Sequence, residues 1–217
     1  AGRVVLLRGV DVAGDAKVPP FRAITDDAEL DPLPGWGGDV VRLLFTWEAY
    51  EPSPGVYDDA YLAYYAGVVD AAAARGLWVV VDFHQDAFSR ASLGGCGEGF
   101  PQWALPPTVT PAVPDNGADC ADWGQRLGDA ALKSTWDAFY ADTGGARTRY
   151  LAMIGRVAAT LAQKTNVAGY DLLNEPGGDE RTQLGPLYED AAAAVRAAHP
   201  PAIVFVSPGY LTSPGVA

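Results

Sequence analysis

Tyr170-Asp171-Leu172-Leu173-Asn174-Glu175-Pro176 is an apolar run that ends on an amide, a carboxylate and a proline. Pro176 has no backbone N–H and disfavours a right-handed helical conformation at Glu175. Glu175 is therefore expected at the end of a strand, facing whatever lies above the sheet. A carboxyl group fixed beside an amide is suited to general acid/base cleavage of a glycosidic bond. Such chemistry normally uses a second carboxylate, which the chain is expected to stop short of supplying.

Arg42 stands inside the apolar run Val40–Phe45. A guanidinium buried without a partner is costly, so it should meet a carboxylate. His84 follows the apolar run Trp78–Phe83 and precedes Gln85 and Asp86. A metal centre is not expected, because the other histidine, His199, stands at a helix end beside Pro200. Lys17 and Asp86 could bind sugar hydroxyls or could be solvated loop charges. Trp47, Trp103, Trp123 and Trp136 could stack on sugar faces, line an aglycone groove, or anchor their loops by packing.

These residues need a scaffold. Strands are expected at Val4–Leu7, Val40–Phe45, Trp78–Phe83, Val167–Leu173 and Ile203–Val206. Apolar residues recur at helical spacing over 59–75, 146–163 and 183–198. Residues 84–132 are rich in Gly, Pro and Asp without sustained periodicity. This loop is long enough to be functional, and its Phe88, Leu93, Phe100, Trp103 and Leu105 would suit a substrate with a lipid part. Near-continuous apolar strands alternating with helices predict a parallel sheet buried on both faces. An open doubly wound sheet and a (β/α)8 barrel both fit. No Gly-x-Gly-x-x-Gly follows the first strand. Polar residues follow four successive strands (Asp11, Trp47-Glu48, His84-Gln85-Asp86, Asn174-Glu175), which favours the barrel. A barrel needs eight strands, so residues 1–217 are expected to be the N-terminal portion of one α/β barrel, about its first five β/α units.

The chain has 217 residues, 49% hydrophobic and 19% charged, with a formal net charge of -12. Nucleic acid is not expected as a partner at such a balance, since phosphate binding needs clustered Lys and Arg. The longest apolar run, near Trp78, is too short to span a bilayer. The opening Ala1-Gly2-Arg3, without Met, fits a removed leader or a boundary. Cys96 and Cys120 both fall in the long loop, and a disulfide between them in a secreted chain is expected.

Arg42, His84 and Asn174-Glu175-Pro176 together resemble the family-five glycoside hydrolases. Three further segments resemble the endoglycoceramidase branch in order: Arg8-Gly9-Val10-Asp11-Val12-Ala13-Gly14-Asp15-Ala16-Lys17, Asp82-Phe83-His84-Gln85-Asp86 and Gly99-Phe100-Pro101-Gln102-Trp103-Ala104. The resemblance covers essentially the whole chain. It implies a retaining hydrolase that cleaves the bond between glycan and ceramide without a cofactor. Glu175 would be the acid/base, Asn174 would hydrogen-bond the sugar 2-hydroxyl, a contact that strengthens in the transition state, Arg42 would orient the nucleophile and His84 would hydrogen-bond the sugar. Asp11 departs from the Asn usual there. The family's nucleophilic Glu, after strand seven, has no counterpart in these residues. The resemblance therefore implies completion by a C-terminal half of the same barrel, without which Arg42 would lack a carboxylate partner. A glycolipid substrate also implies peripheral contact with a lipid micelle or membrane surface. The alternatives are a β-glycosidase or endoglucanase acting on a soluble glycan, and a non-catalytic glycan- or lipid-binding half-barrel.

Overall fold

The computed structural model describes residues 4–111 and 123–210. Five parallel strands, β1 (Gly9–Val12), β2 (Val40–Phe45), β3 (Trp78–Phe83), β4 (Val167–Asp171) and β5 (Ile203–Phe205), lie side by side in chain order. A doubly wound sheet reverses direction at a switch point, whereas strands added one after another are the order of a barrel wall. The β2 and β3 bounds are those the apolar runs predict. The first strand is not. Val4, Val5 and Leu6 are exposed, and pairing begins at Gly9, opposite Val40. The register is fixed just before that point, where Asp39 Oδ1 accepts the Arg8 N–H (2.6 Å) and Arg8 O accepts the Asp39 N–H (2.8 Å). Hydrogen-bonded register outweighs local hydropathy here.

The helices are two single turns, α1 (Pro32–Gly35) and α2 (Trp47–Tyr50), followed by α3 (Asp59–Ala74), α4 (Ala130–Tyr140), α5 (Ala146–Leu161) and α6 (Gly185–Ala198). Asp58 caps α3 by accepting the Ala60 and Tyr61 N–H groups, and Gly76, at φ +71°, turns the chain away after it. The sequence reading missed α4. Its inward side chains, Leu132, Trp136 and Phe139, span only two turns, too few for a periodicity to stand out.

The long loop after β3 supplies core. Phe88 and Phe100 are fully buried and stack at 4.3 Å between ring centroids. Trp136, Phe139 and Tyr150 close around them. Each such ring contributes about 1.5–3 kcal/mol by leaving water, so the loop is held like a second core layer. This corrects the expectation that Phe88 and Phe100 face a lipid. The two edges of the sheet carry exposed apolar side chains, Val10 on β1 and Ile203 and Phe205 on β5.

Candidate active site

Parallel register aligns Leu44 with Asp82 and Asp82 with Asp171. With the two-residue alternation of strands, Arg42, Asp82 and Asp171 share one face. Arg42 Nη2 donates to Asp171 Oδ2 (2.7 Å) and to Asn174 Oδ1 (2.9 Å), and lies 3.0 Å from Asp82 Oδ1. Arg42 Nη1 is 3.7 Å from Asp11 Oδ1. The expectation that Arg42 would lack a carboxylate is thus wrong. Neighbouring strands surround it with acids, of which Asp82 and Asp171 are buried. Asp11, the departure from the family's usual Asn, is one of them.

Asn174 is clamped from both sides, since its Nδ2 also donates to Gln85 O (3.1 Å). Glu175, next to it, is exposed and has φ +36°. A left-handed backbone at a non-glycine residue costs roughly 1–3 kcal/mol and must be held. Gln85 holds it. Its Nε2 donates to Asn174 O (2.6 Å) and Glu175 O (2.9 Å), while its Oε1 accepts the Phe88 N–H (2.7 Å). One buried amide therefore ties the turn after β4 to the loop after β3. In the sequence Gln85 stands out only as part of His84-Gln85-Asp86. Its signal was a glutamine between an apolar strand and a buried loop, where an amide can satisfy several backbone groups at once. Tyr140 OH donates to Gly177 O (2.6 Å), securing the far side of the turn.

His84, Asp86 and Lys17 come together, joined by Glu98. His84 Nδ1 is 2.8 Å from Asp82 Oδ2 and its Nε2 is 3.4 Å from Asp86 Oδ2. Burial opposes the imidazolium, but the bonds to Asp82 and Asp86 outweigh it and raise the His84 pKa to about 9. Both ring nitrogens then act as donors at neutral pH. The Lys17 ammonium lies 2.5 Å from Asp86 and 2.6 Å from Glu98. One ring nitrogen of His84 and one oxygen each of Asp86 and Glu98 lie within 4.8 Å of one another. That spacing suits a cation, and Lys17 supplies one. Burial works against the Asp86 carboxylate, yet hydrogen bonds from His84 and Glu98 and the Lys17 charge hold it well below the usual range. Burial first, then the bond to Asp86, pushes Glu98 up to about 7.

These shifts predict a pH-dependent stability. His84 binds its proton more tightly when folded, so its contribution is full below 6.5 and is lost as pH rises through about 9. Glu98 acts in the same direction between 4.5 and about 7. The melting temperature should fall from pH 6.5 to pH 9, and His84→Gln should flatten the fall. A melting temperature that held or rose over that interval would contradict the arrangement.

The tryptophans are mostly structural. Trp47 is 2% exposed, packs edge-on against Phe100, Trp103 and Tyr150, and donates to Glu51 Oε2 (2.8 Å). It has no free face for a sugar, which corrects the expectation of stacking. Trp103, half-buried, donates to Glu51 O (2.9 Å) and anchors the same corner. Trp136 is buried under Phe88. Cys96 is disulfide-bonded. Cys120, its expected partner, and the Trp123 side chain lie outside the described residues.

Residues 5–215 match the cellulase family, glycosyl hydrolase family 5. The chain belongs to that family. Among family members and relatives, endoglycoceramidase I of Rhodococcus hoagii is 36% identical over 176 residues, 81% of this chain and 34% of that protein. Endo-glycoceramidase II from Rhodococcus sp. superposes with a TM-score of 0.84 at 30% identity, covering 97% of this chain and 50% of that one. An endogalactoceramidase superposes with a TM-score of 0.80 at 32% identity, again over 97% of this chain and 51% of that one. The chain spans about half the length of the solved family-five structures it matches and a third of the curated relative. Its five strands are the N-terminal units of the family's (β/α)8 barrel.

Proposed function

We propose that this family-five chain is the acid/base half of a retaining glycoside hydrolase that cleaves the β-glycosidic bond between glycan and ceramide. The observation that carries the proposal is Glu175, projecting beyond β4 from a backbone conformation that Gln85 holds, beside an Asn174 fixed by Arg42. Glu175 donates its proton to the leaving oxygen as the bond from the anomeric carbon breaks. A carboxylate on the opposite face, about 5–5.5 Å away, captures that carbon. Glu175 then takes a proton from the water that releases the sugar. Asn174 donates toward the 2-hydroxyl, while His84, Asp86 and Lys17 supply hydrogen bonds to the sugar beside it. The nucleophile comes from a C-terminal portion that also covers the exposed apolar edges of β1 and β5.

The lipid part of the substrate is supported by relatives. The Rhodococcus endo-glycoceramidase II has also been solved with ganglioside GM3. A lipid substrate places the enzyme at a micelle or membrane surface, and the Cys96 disulfide fits a secreted protein. The test is complementation. Residues 1–217 alone should show no turnover of a glycosphingolipid, and joining them to the C-terminal portion should restore it. Turnover by the isolated chain would overturn the division of carboxylates. A completed barrel that hydrolysed a soluble β-glucan but not the glycolipid would overturn the substrate.

A further inference from the structure

Glu98 is a half-buried acid that the acid/base chemistry does not use. It comes from the loop after β3, which returns to pair with its own start. Asp86 and Glu98 form an isolated antiparallel bridge, with Glu98 N–H donating to Asp86 O (2.8 Å) and Asp86 N–H donating to Glu98 O (3.2 Å). The glycines on either side permit this return. A Cβ on Gly97 would lie 2.3 Å from Ser89 O, and one on Gly99, at φ +103°, would lie 2.3 Å from His84 O. No other residue fits at either place. The backbone thus delivers one carboxyl group beneath Lys17 and against Asp86.

We propose that Glu98 is a positioning residue of the sugar site: as a neutral acid it shares a proton with Asp86 and holds the Asp86–Lys17 pair in the geometry that receives neighbouring sugar hydroxyls. The proposal rests on the glycosidase reading above and deepens it. Asp86 and Glu98 are both largely shielded from water and meet at one ammonium, so burial and their mutual repulsion penalise charging the second carboxyl group. The lowest-energy state leaves a proton between the acids. Glu98 is the acid that keeps it, because Asp86 also receives the His84 imidazolium (3.4 Å), which lies farther from Glu98 (3.9 Å). The other charged groups alongside are Asp82 and Arg42 behind His84, and Glu48 and Arg90, where the Glu48 N–H bonds Gly99 O (2.8 Å). Asp82 and Arg42 are paired with one another, whereas Arg90 Nε lies 3.8 Å from Glu48 Oε1. With Glu98 neutral, Asp86 accepts from one sugar hydroxyl and Lys17 donates to its neighbour. When Glu98 ionises, near its raised pKa of about 7, the ammonium is drawn to a second full negative charge and gives less to the sugar.

The experiment compares Glu98→Gln and Glu98→Ala in the complete protein, with glycolipid hydrolysis followed across pH. In the wild type, KM should rise as pH passes through about 7. Glu98→Gln, which keeps a neutral hydrogen-bonding group, should retain the low-pH KM and lose the rise. Glu98→Ala should raise KM about tenfold at every pH, the loss of one charge-assisted bond, with kcat changed less than about twofold. Equal behaviour of Gln and Ala, or a Gln variant that kept the inflection, would overturn the proposal. An independent readout uses no substrate. Carbon-13 NMR of the Glu98 carboxyl and nitrogen-15 NMR of Lys17 Nζ should report one shared titration near 7, absent in Glu98→Gln. If glycolipid turnover were missing in the wild type but this titration were present, the substrate reading would fail while the shared proton stood. A Glu98 that titrated in the ordinary carboxylate range would sink the inference itself.

Discussion

Glu175→Gln in the completed barrel is expected to lower turnover of a natural glycolipid by about 10²–10⁴-fold, the range for removing a general acid. The amide keeps the size of the side chain and its place beyond β4, so binding should change little. The loss should fall on kcat. A substrate with an activated leaving group departs without a proton, so the glycosylation step should be far less affected. The two substrates together separate acid catalysis from a general disturbance. The strained backbone at 175 makes glutamine the right replacement. The conformation is held by Gln85 through main-chain oxygens, which the substitution leaves alone. Full activity of Glu175→Gln on the natural glycolipid would show that the proton comes from elsewhere.

The second large effect is on stability. Arg42→Met is expected to destabilise the folded chain by about 3 kcal/mol, the lower end of the cost of leaving a buried ionic partner alone. The cause lies in what remains. Asp82 is fully buried and Asp171 nearly so, and both contact Nη2 of the same guanidinium. Methionine fills the volume but pairs with neither. Burial, helped by the Asp171 charge, already raises the Asp82 pKa against the pull of His84 and Arg42. Denaturant titration of the single variant, and of Arg42→Met combined with Asp82→Asn, measures the coupling. The pair should lose less than the sum of its parts, because the second change removes the charge that the first stranded. Strict additivity, or a loss below about 1 kcal/mol, would show that solvent rather than Arg42 satisfies these carboxylates.

Much of the scaffold was legible without coordinates. β2 and β3 could be read residue by residue, because a strand buried on both faces is a plain apolar run. The helices over 59–74 and 146–161 showed as apolar residues recurring at helical spacing. Asn174-Glu175-Pro176 announced itself as a strand end because a proline there excludes a helix. Those signals are local, and local patterns survive in sequence. What failed was non-local. The partners of Arg42 stand 40 and 129 positions away, at Asp82 and Asp171, and only a parallel register of three strands brings them to one guanidinium. Glu98 reads as one more acid in a glycine-rich loop until that loop folds back on Asp86. Trp47, Phe88 and Phe100 looked available for a substrate because hydropathy does not say which apolar surface will cover a residue. Packing decided that, by folding the loop after β3 onto α4 and α5. The sequence by itself determined the kinds of elements and the chemistry at the strand ends. The tertiary structure decided which charges meet, since register and loop return depend on hydrogen bonds between residues far apart in the chain.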